Sequence, residues 1–285
     1  MVNLDMGFTS RRQWLAARQR TNAAKTALLR ELFVSDCRDV FYGRQLEVRL
    51  ESRFAHWTTR KALQELSAEK RIRSRVDEKS GRRIHFYWAL RHRYPCRQIA
   101  VISALVEEFS APDFTNAVGG YAELLADSAF ARIGARIVAE DVDGVGDRHW
   151  TETNHRLDRL IEYEGKQYGV EIKNRLGYID TKELEIKLRM CVALGVAPLF
   201  ITREMPRAYA RQIAMAGGMS ICVGTQQYPP LAWSLALRVS RKLRLPIGWS
   251  QRQAEYLFQS RLGAAITRKN ERGFEVSGQF TPETS

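Results

Sequence analysis

Residues 156–174 constrain the fold of this chain more than any other part of the sequence. They read RLDRLIEYEGKQYGVEIKN, two runs rich in apolar residues that a Glu-Gly-Lys turn joins. This pattern predicts a β-hairpin with buried strands. Charged residues nevertheless occur inside both strands, with Asp158 in the first and Glu171 and Lys173 in the second. Any fold that buries this hairpin must therefore compensate their charges.

The alternation of strand side chains determines where these charges lie. Glu171 and Lys173 are two positions apart and share one face, and the hairpin can bring Asp158 beside Glu171. Two carboxylates and an ammonium group inside a sheet are costly unless a partner compensates them. A divalent cation would do so, as in sites that cleave phosphodiester bonds. The plainer alternative is an internal ion pair between Asp158 and Lys173, with Glu171 solvated on an edge strand.

The spacing of these residues is similar to the PD-(D/E)xK signature of restriction-endonuclease-like nucleases. Asp158 is followed thirteen positions later by Glu171, Ile172 and Lys173, while Leu157 stands where that family has proline. The resemblance extends over residues 116–224. There the sequence predicts a helix that carries Glu, three strands, a helix, a strand, a helix and a last strand. It implies a nuclease core at residues 116–228.

The resemblance also implies roles for the site residues. Asp158, Glu171 and the carbonyl group of Ile172 would bind Mg²⁺, with Mn²⁺ expected to substitute. Glu123, in the first helix of the core, would bind an ion directly or through water. Lys173 would orient the attacking water and help to neutralise the transition state. The predicted catalytic residues are Asp158, Glu171, Lys173 and Glu123.

The N-terminal part of the chain has a second pattern. Two segments with helical periodicity precede a third helix, TTRKALQELSAEK, which Thr58 or Thr59 is predicted to cap. A basic hairpin with Gly81 in its turn follows at residues 72–88. Three helices and a basic hairpin resemble the winged helix-turn-helix family. This resemblance implies a DNA-binding domain at residues 21–95.

Positions carried over from that family give the predicted DNA contacts. The third helix would face the major groove, and the arms of the hairpin would lie against phosphates or the minor groove. The predicted contacts are Thr58, Thr59, Arg60, Lys61 and Gln64 in the helix and Arg73, Arg75, Lys79, Arg82 and Arg83 in the hairpin. Separately, Asn174, directly after Lys173 in the nuclease core, is predicted to contact a backbone phosphate. A winged helix can also serve protein contacts or dimerisation, and this alternative stays open.

The distribution of charge agrees with a polyanionic partner. The net charge is +13, and residues 1–110 have 22 basic against 12 acidic residues, a balance of +10. Residues 111–228 have 14 against 16, a balance of −2, whereas residues 229–285 have 9 against 4, a balance of +5. Basic flanks around a slightly acidic core predict salt-dependent binding of DNA, expected to be duplex.

Other features narrow the class of protein. The four cysteines form no C-x-x-C pair, which fits free thiols in a reducing compartment and predicts a cytoplasmic protein. No apolar run is long enough for a membrane span, and no secretory signal is recognised. No glycine-rich phosphate loop is present, so no nucleotide cofactor is expected. Double-strand cutting with one site per chain would favour a homodimer.

The predicted fold class is α/β, with an α+β winged helix before an αβββαβ nuclease core. The predicted parts are an N-terminal helical arm (1–20), the winged helix-turn-helix (21–95), a linker (96–115), the core (116–228) and a basic helical extension (229–285). The expected activity is that of a Mg²⁺-dependent DNA endonuclease in restriction or host defence, transposition or DNA processing. Alternatives are a junction resolvase and a DNA-binding regulator with a catalytically idle nuclease fold.

Overall fold

The structure, a computed structural model, describes residues 11–79, 82–248 and 250–271. The side chains of Lys79, Arg82, Gln251 and residues 265–271 lie outside this description. The chain divides into two compact units. Residues up to Ala111, together with Arg241–Leu245, form the first; Pro112–Ser240 and the residues from Pro246 onward form the second. No helix of the described residues is both long and apolar enough to cross a lipid bilayer.

The first unit combines four helices with a small sheet. Its elements are α1 (Arg11–Glu31), β1 (Val40–Tyr42), α2 (Gly43–Arg49), α3 (His56–Ala68), β2 (Arg73–Lys79), β3 (Arg82–Trp88) and α4 (Cys96–Phe109). The strands form an antiparallel sheet of order β1-β3-β2. Helices α1, α2 and α3 bury their apolar faces in a shared core, and each fully buried leucine contributes about 1.5–3 kcal/mol. Its central members are Ala24, Leu28, Leu46, Leu63, Leu66 and Tyr87.

Two boundaries in the first unit differ from those predicted. Helix α1 is continuous from Arg11 to Glu31, so it runs through the predicted boundary between residues 20 and 21. The segment predicted as a linker, 96–115, consists mainly of α4 and the start of the next helix. Ile99, Ile102 and Val106 are buried on one face of α4. Their spacing of three and four residues is the helical signal that the linker prediction overlooked.

Helix α3 begins earlier than predicted, so the predicted cap is wrong. Its N-cap is Ala55, and no side chain caps it. Thr59 is completely buried on the same stripe as Ala62 and Leu66, one turn inside the helix. In the predicted hairpin, strand β2 continues to Lys79, and residues 80 and 81 lie outside the description.

From Pro112 the chain builds a five-stranded sheet with helices. The elements are α5 (Pro112–Arg132), β4 (Arg136–Val142), β5 (Gly144–Val145), β6 (Arg148–His149), β7 (Leu157–Tyr163), β8 (Lys166–Lys173), α6 (Thr181–Leu194), β9 (Ala197–Thr202), α7 (Arg207–Met215), β10 (Met219–Cys222), β11 (Gln226–Gln227), α8 (Trp233–Leu243), β12 (Ile247–Gly248) and α9 (Gln251–Glu271). The sheet order is β10-β9-β8-β7-β4, with β8, β9 and β10 parallel and the remaining pairs antiparallel. The predicted α/β class is confirmed.

Strand β8 is the central strand and is buried on both faces. It pairs with β7 through a tight turn in which Glu164 and Gly165 both have positive φ, 49° and 73°. Val170 and Ile172 pack with α5 and α9 on one side. Gly169 meets Cys191 of α6 on the other. Charged side chains on the α6 face of β8 therefore lie in the interior, not on a solvated edge.

Candidate active site and DNA-contact residues

Asp158 and Glu171 meet at the end of the β7–β8 pairing. Arg159 pairs with Val170, and one step further along this antiparallel register brings Asp158 opposite Glu171, on the same face of the sheet. Oδ2 of Asp158 accepts a hydrogen bond from the backbone N–H of Ile172 at 2.6 Å. The hairpin therefore holds the two carboxylates as cross-strand neighbours, as the sequence predicts.

Two lysines compensate the charge of Glu171. Its side chain is completely buried, with Nζ of Lys173 at 2.6 Å from Oε1 and Nζ of Lys187 at 2.6 Å from Oε2. Lys173 also lies 2.9 Å from Oε1 of Glu183. The predicted alternative, an Asp158–Lys173 pair with Glu171 solvated on an edge, is therefore wrong, because Glu171 is the buried centre of the ion-pair cluster.

Desolvation raises the pKa of both carboxyl groups. For Glu171 the neighbouring negative charge of Asp158 adds to the effect of burial, and the two lysines oppose it. For Asp158 the N–H of Ile172 and the lysine charges oppose the effect of burial without cancelling it. Ionisation of both carboxyl groups therefore costs free energy. Additional positive charge beside them would lower this cost.

The pKa of Lys173 is also raised, but for a different reason. Burial lowers the pKa of its ammonium group, but the charges of Glu171 and Glu183 outweigh burial, and the net shift is upward from 10.5. Lys173 is therefore an ammonium group at neutral pH. It can donate hydrogen bonds and neutralise negative charge, whereas it is poorly suited to accept a proton.

Lys187 is a residue of this cluster that the sequence prediction missed. It lies in α6, its side chain is buried, and its Nζ also donates to the carbonyl oxygen of Arg156. The sequence contains a signal for it, because Lys187 falls on the buried stripe of α6 with Leu184, Leu188 and Cys191. A lysine on an apolar helix face needs a buried acid as its partner.

Glu123 forms an ion pair with Arg159 of β7. Its side chain in α5 lies 3.2 Å from the guanidinium group of Arg159, which also forms two hydrogen bonds to Asp127 at 3.1 Å and 3.0 Å. Arg159 follows Asp158 in β7, so it projects from the opposite face of the sheet. The charge of Glu123 still reaches Asp158, where it contributes to the raised pKa.

Asn174 has a structural role in place of the predicted phosphate contact. Its Nδ2 donates to the carbonyl oxygens of Val118 at 2.8 Å and Gln227 at 2.7 Å. Its Oδ1 accepts from the N–H of Gln227 at 2.8 Å. Both amide hydrogens are thus already used, which leaves none for a phosphate oxygen.

The two carboxylates fit a hard divalent cation with few protein ligands. No group of three or more His, Cys, Asp or Glu side chains suited to a metal occurs among the described residues. Asp158 and Glu171 nevertheless supply two adjacent carboxylates, and Mg²⁺ commonly binds through one or two such groups and retained water. The raised pKa of each carboxyl group shows that positive charge is favoured here. The donor set is compatible with Mg²⁺, in competition with the two lysines.

The predicted contacts in α3 fall into two groups. Arg60, Lys61 and Gln64 are exposed, whereas Thr58 is half-buried. Thr59 is completely buried, so its predicted position in the major groove is wrong. Arg60 also bonds both carboxylate oxygens of the buried Glu47, at 2.7 Å and 3.2 Å. Its guanidinium group is therefore partly engaged within the unit.

The predicted wing residues are mostly exposed. Arg73, Arg75 and Arg83 are exposed, and the side chains of Lys79 and Arg82 lie outside the described residues. Arg75 is 3.3 Å from Asp77, and Arg83 is 3.3 Å from Glu78, in surface pairs that cost little to break. A cleft of about 400 Å³ lies beside β3 and is lined by Arg44, Arg60, Gln64, Arg83 and His85, among others.

Comparison of the chain with protein-family models, curated proteins and solved structures finds no match in any of the three. The class of protein is therefore inferred from the geometry of the two units. The second unit provides a buried cluster of carboxylates and lysines at the centre of a mixed sheet, and the first provides exposed basic side chains on a helix and a hairpin.

Proposed function

We propose that the chain is a Mg²⁺-dependent DNA endonuclease. The observation that carries the proposal is the cross-strand pair of the half-buried Asp158 and the buried Glu171, on a central hairpin with Lys173 beside it. Two adjacent carboxylates followed by a lysine on the same strand face are the donor set expected for hydrolysis of a phosphodiester.

The order of elements supports a restriction-endonuclease-like core. Helix α5 is followed by β4, β7 and β8, then by α6, β9, α7 and β10. This order matches the prediction from the sequence, with the small β5–β6 hairpin inserted between β4 and β7. The candidate site lies on β7 and β8, the second and third main strands, as the resemblance requires.

A winged helix-turn-helix is the proposed architecture of the first unit. The order α1, β1, α2, α3, β2, β3 and the sheet order β1-β3-β2 support it. Helix α3 would then be the recognition helix, and the β2–β3 hairpin the wing. The exposed side chains of Lys61, Gln64 and Arg83 are available for DNA. DNA binding by this unit would make up for the weak electrostatic attraction between DNA and the nuclease core, whose net charge is slightly negative.

The proposed division of labour in the site follows from the chain's own residues. Asp158 and Glu171, with the carbonyl group of Ile172, would hold the metal, which would supply an activated water and stabilise negative charge on the phosphoryl oxygens. Lys173 would donate hydrogen bonds and neutralise the phosphate, since its raised pKa keeps it protonated. Lys187 would hold one oxygen of Glu171 in place. Mn²⁺ is expected to replace Mg²⁺.

A DNA-binding regulator with an idle nuclease fold is the second candidate. The contacts of Glu171 favour it, because both carboxylate oxygens already face lysine ammonium groups at 2.6 Å. In such a protein the cluster would stabilise the sheet and bind no metal.

We further propose a cytoplasmic location, which the free cysteines support. A homodimer stays a prediction.

Plasmid nicking in Mg²⁺ tests the proposal against the regulator. The full chain should nick supercoiled plasmid, and Asp158→Asn and Glu171→Gln should each lose about 10³-fold or more of this activity while still binding DNA. Glu162→Gln, an exposed acid of the same strand paired with Arg136, is the matched control and should cut normally. Binding without metal-dependent nicking by the wild-type chain would favour the regulator.

A further inference from the structure

A groove in the first unit is lined by four arginines, of which only Arg73 is a predicted DNA contact. The segment between β3 and α4, residues 89–95, lies beside Arg38 and Arg73 and encloses about 790 Å³. Its lining residues are Arg38, Arg73, Leu90, Arg91, His92, Arg93 and Tyr94. None of the predicted DNA contacts in α3 lines it, and only Arg73 comes from the proposed wing.

The groove is held in shape by hydrogen bonds. The guanidinium group of Arg38 donates to the carbonyl oxygen of Arg91 at 3.2 Å, and Gln98 donates to the carbonyl oxygen of Arg38 at 2.7 Å. The N–H of His92 donates to Ala89 at 3.0 Å. These bonds join the segment to Arg38, just before β1, and join Arg38 to α4. The arginine side chains are thus presented from a defined backbone.

The positive charge of the groove is not compensated within it. No acidic side chain lines the groove, and no ion pair is found for Arg38, Arg73, Arg91 or Arg93 among the described residues. The cleft beside β3 differs, because Glu47 lies within 2.7 Å of both Arg44 and Arg60 there. Four arginines without a carboxylate form a surface that attracts a polyanion.

Exposed apolar side chains accompany these arginines. Tyr94 is 82% exposed and Leu90 is 46% exposed, at the edge of the groove. The ring of Tyr94, directly after Arg93, offers a face on which a nucleobase can stack while the guanidinium groups contact phosphates. Bases in a duplex are already stacked on each other, so this combination fits an unpaired strand better than a duplex.

We propose that this groove binds single-stranded nucleic acid. The proposal goes beyond the endonuclease activity and does not depend on it, since no residue of the groove belongs to the metal site. It assigns phosphate contacts to Arg38, Arg73, Arg91 and Arg93, and base stacking to Tyr94. A single strand bound here would be held by the first unit independently of the duplex contacts proposed for α3.

The test measures binding of a fluorescent oligo(dT) to the full chain by anisotropy, in EDTA so that no metal-dependent cleavage occurs. Tyr94→Ser should weaken binding about fivefold or more, whereas Tyr94→Phe should stay within about twofold of wild type. Arg91→Ala with Arg93→Ala should make the dependence of log affinity on log salt shallower by about 1.4. Arg12→Ala with Arg20→Ala, two exposed arginines of α1, is the control of equal charge.

Two outcomes would overturn the proposal. One is a Tyr94→Ser variant that binds oligo(dT) as tightly as the wild type. This result would show that Tyr94 does not stack on a base and that only non-specific attraction of the arginines to phosphates remains. The other is polyglutamate binding as tightly as oligo(dT), which would indicate a surface for acidic polypeptides. The result is separable from the nuclease proposal, because a chain that binds oligo(dT) but never cleaves plasmid supports the groove and contradicts the endonuclease.

Discussion

The ammonium nitrogen of Lys187 lies 2.6 Å from Oε2 of Glu171, and both side chains are buried between β8 and α6. Each of these charges is removed from water, so each depends on the other for compensation. The same carboxylate is the proposed metal ligand. The stability of the sheet and the affinity for the metal are therefore coupled through one residue.

Replacing Lys187 should show this coupling in stability. Lys187→Met leaves Glu171 with one ammonium partner, and we expect the free energy of unfolding to fall by about 3–5 kcal/mol in urea titrations. Arg189→Met is the matched control in the same helix, because its pair with Glu152 is about half exposed on both sides. That variant should lose no more than about 1 kcal/mol.

A double-mutant cycle distinguishes a charge interaction from simple loss of packing. If the pair is responsible, Lys187→Met combined with Glu171→Gln should be less destabilising than the sum of the two single changes, by about 1 kcal/mol or more. Additive losses would contradict the role given to Lys187. Additive losses would show that the aliphatic part of the Lys187 side chain only fills space and that its charge does not compensate the carboxylate of Glu171.

A second prediction concerns the pH dependence of Asp158. Burial raises its pKa above the ordinary 3.8, so the folded protein binds a proton more tightly than the unfolded chain. The ionised carboxylate therefore lowers stability above the raised pKa, and this penalty disappears below 3.8. Asp158→Asn, which keeps an oxygen acceptor for Ile172, should raise the melting temperature at neutral pH in EDTA.

The gain from Asp158→Asn should shrink as the pH falls toward and below 3.8, because both proteins are then neutral at this position. Melting curves at a series of pH values measure the difference, with Glu162→Gln as the control. A destabilised Asp158→Asn protein at neutral pH would show that the hydrogen bond from Ile172 and the lysines outweigh burial. Added Mg²⁺ should stabilise the wild type and not the variant.

The hairpin and the cross-strand position of Asp158 and Glu171 could be predicted from the sequence because strand alternation and turn chemistry are local. Lys187 could not be assigned in the same way, since its partner is sixteen residues away and on another element. The same limit explains Arg60, whose bond to Glu47 depends on the packing of α2 against α3. Local patterns identified the elements, whereas the pairing of buried charges needed the tertiary structure.

Asn174 and Thr59 show a different limit. Both are predicted DNA contacts, whereas in the structure Asn174 bonds the backbone and Thr59 is buried. The sequence position of a residue predicts the helix or strand in which it lies. It does not predict which groups its side chain contacts in the folded protein. Thr59 lies one helical turn from Ala62 and Leu63, and this spacing already placed it on the buried stripe of α3.

A third prediction concerns the close contact between β8 and α6. A Cβ atom on Gly169 would lie 2.6 Å from Leu157 and 3.0 Å from both Cys191 and Val196. Gly169→Ala should therefore destabilise the protein by about 1–3 kcal/mol through overpacking. Gly120→Ala, in helix α5 with nothing within 4 Å, should instead be neutral or stabilising. Urea unfolding measures both, and an unchanged Gly169→Ala protein would contradict the tight packing.

A fourth prediction concerns His56 in the first unit. Burial lowers its pKa from 6.5, although the hydrogen bond with Glu51 opposes the effect. The unfolded chain therefore binds the proton more readily, and stability should fall as the pH drops below 6.5 and level off below the lowered pKa. His56→Gln should make unfolding less dependent on pH in this range. A steeper dependence in the variant would show that His56 is protonated in the folded protein.

The last prediction concerns how the first unit binds duplex DNA. Lys61 and Gln64 are exposed on α3, and Arg83 is exposed on β3. In the full chain, Arg83→Ala should weaken binding to all duplexes alike and make the salt dependence shallower by about 0.9. Gln64→Ala should instead change which sequence is preferred, by about 1–3 kcal/mol where the side chain reaches a base edge. Arg20→Ala in α1 is the control. Wild-type affinity and preference in both variants would leave α3 and the hairpin as a surface for protein contacts.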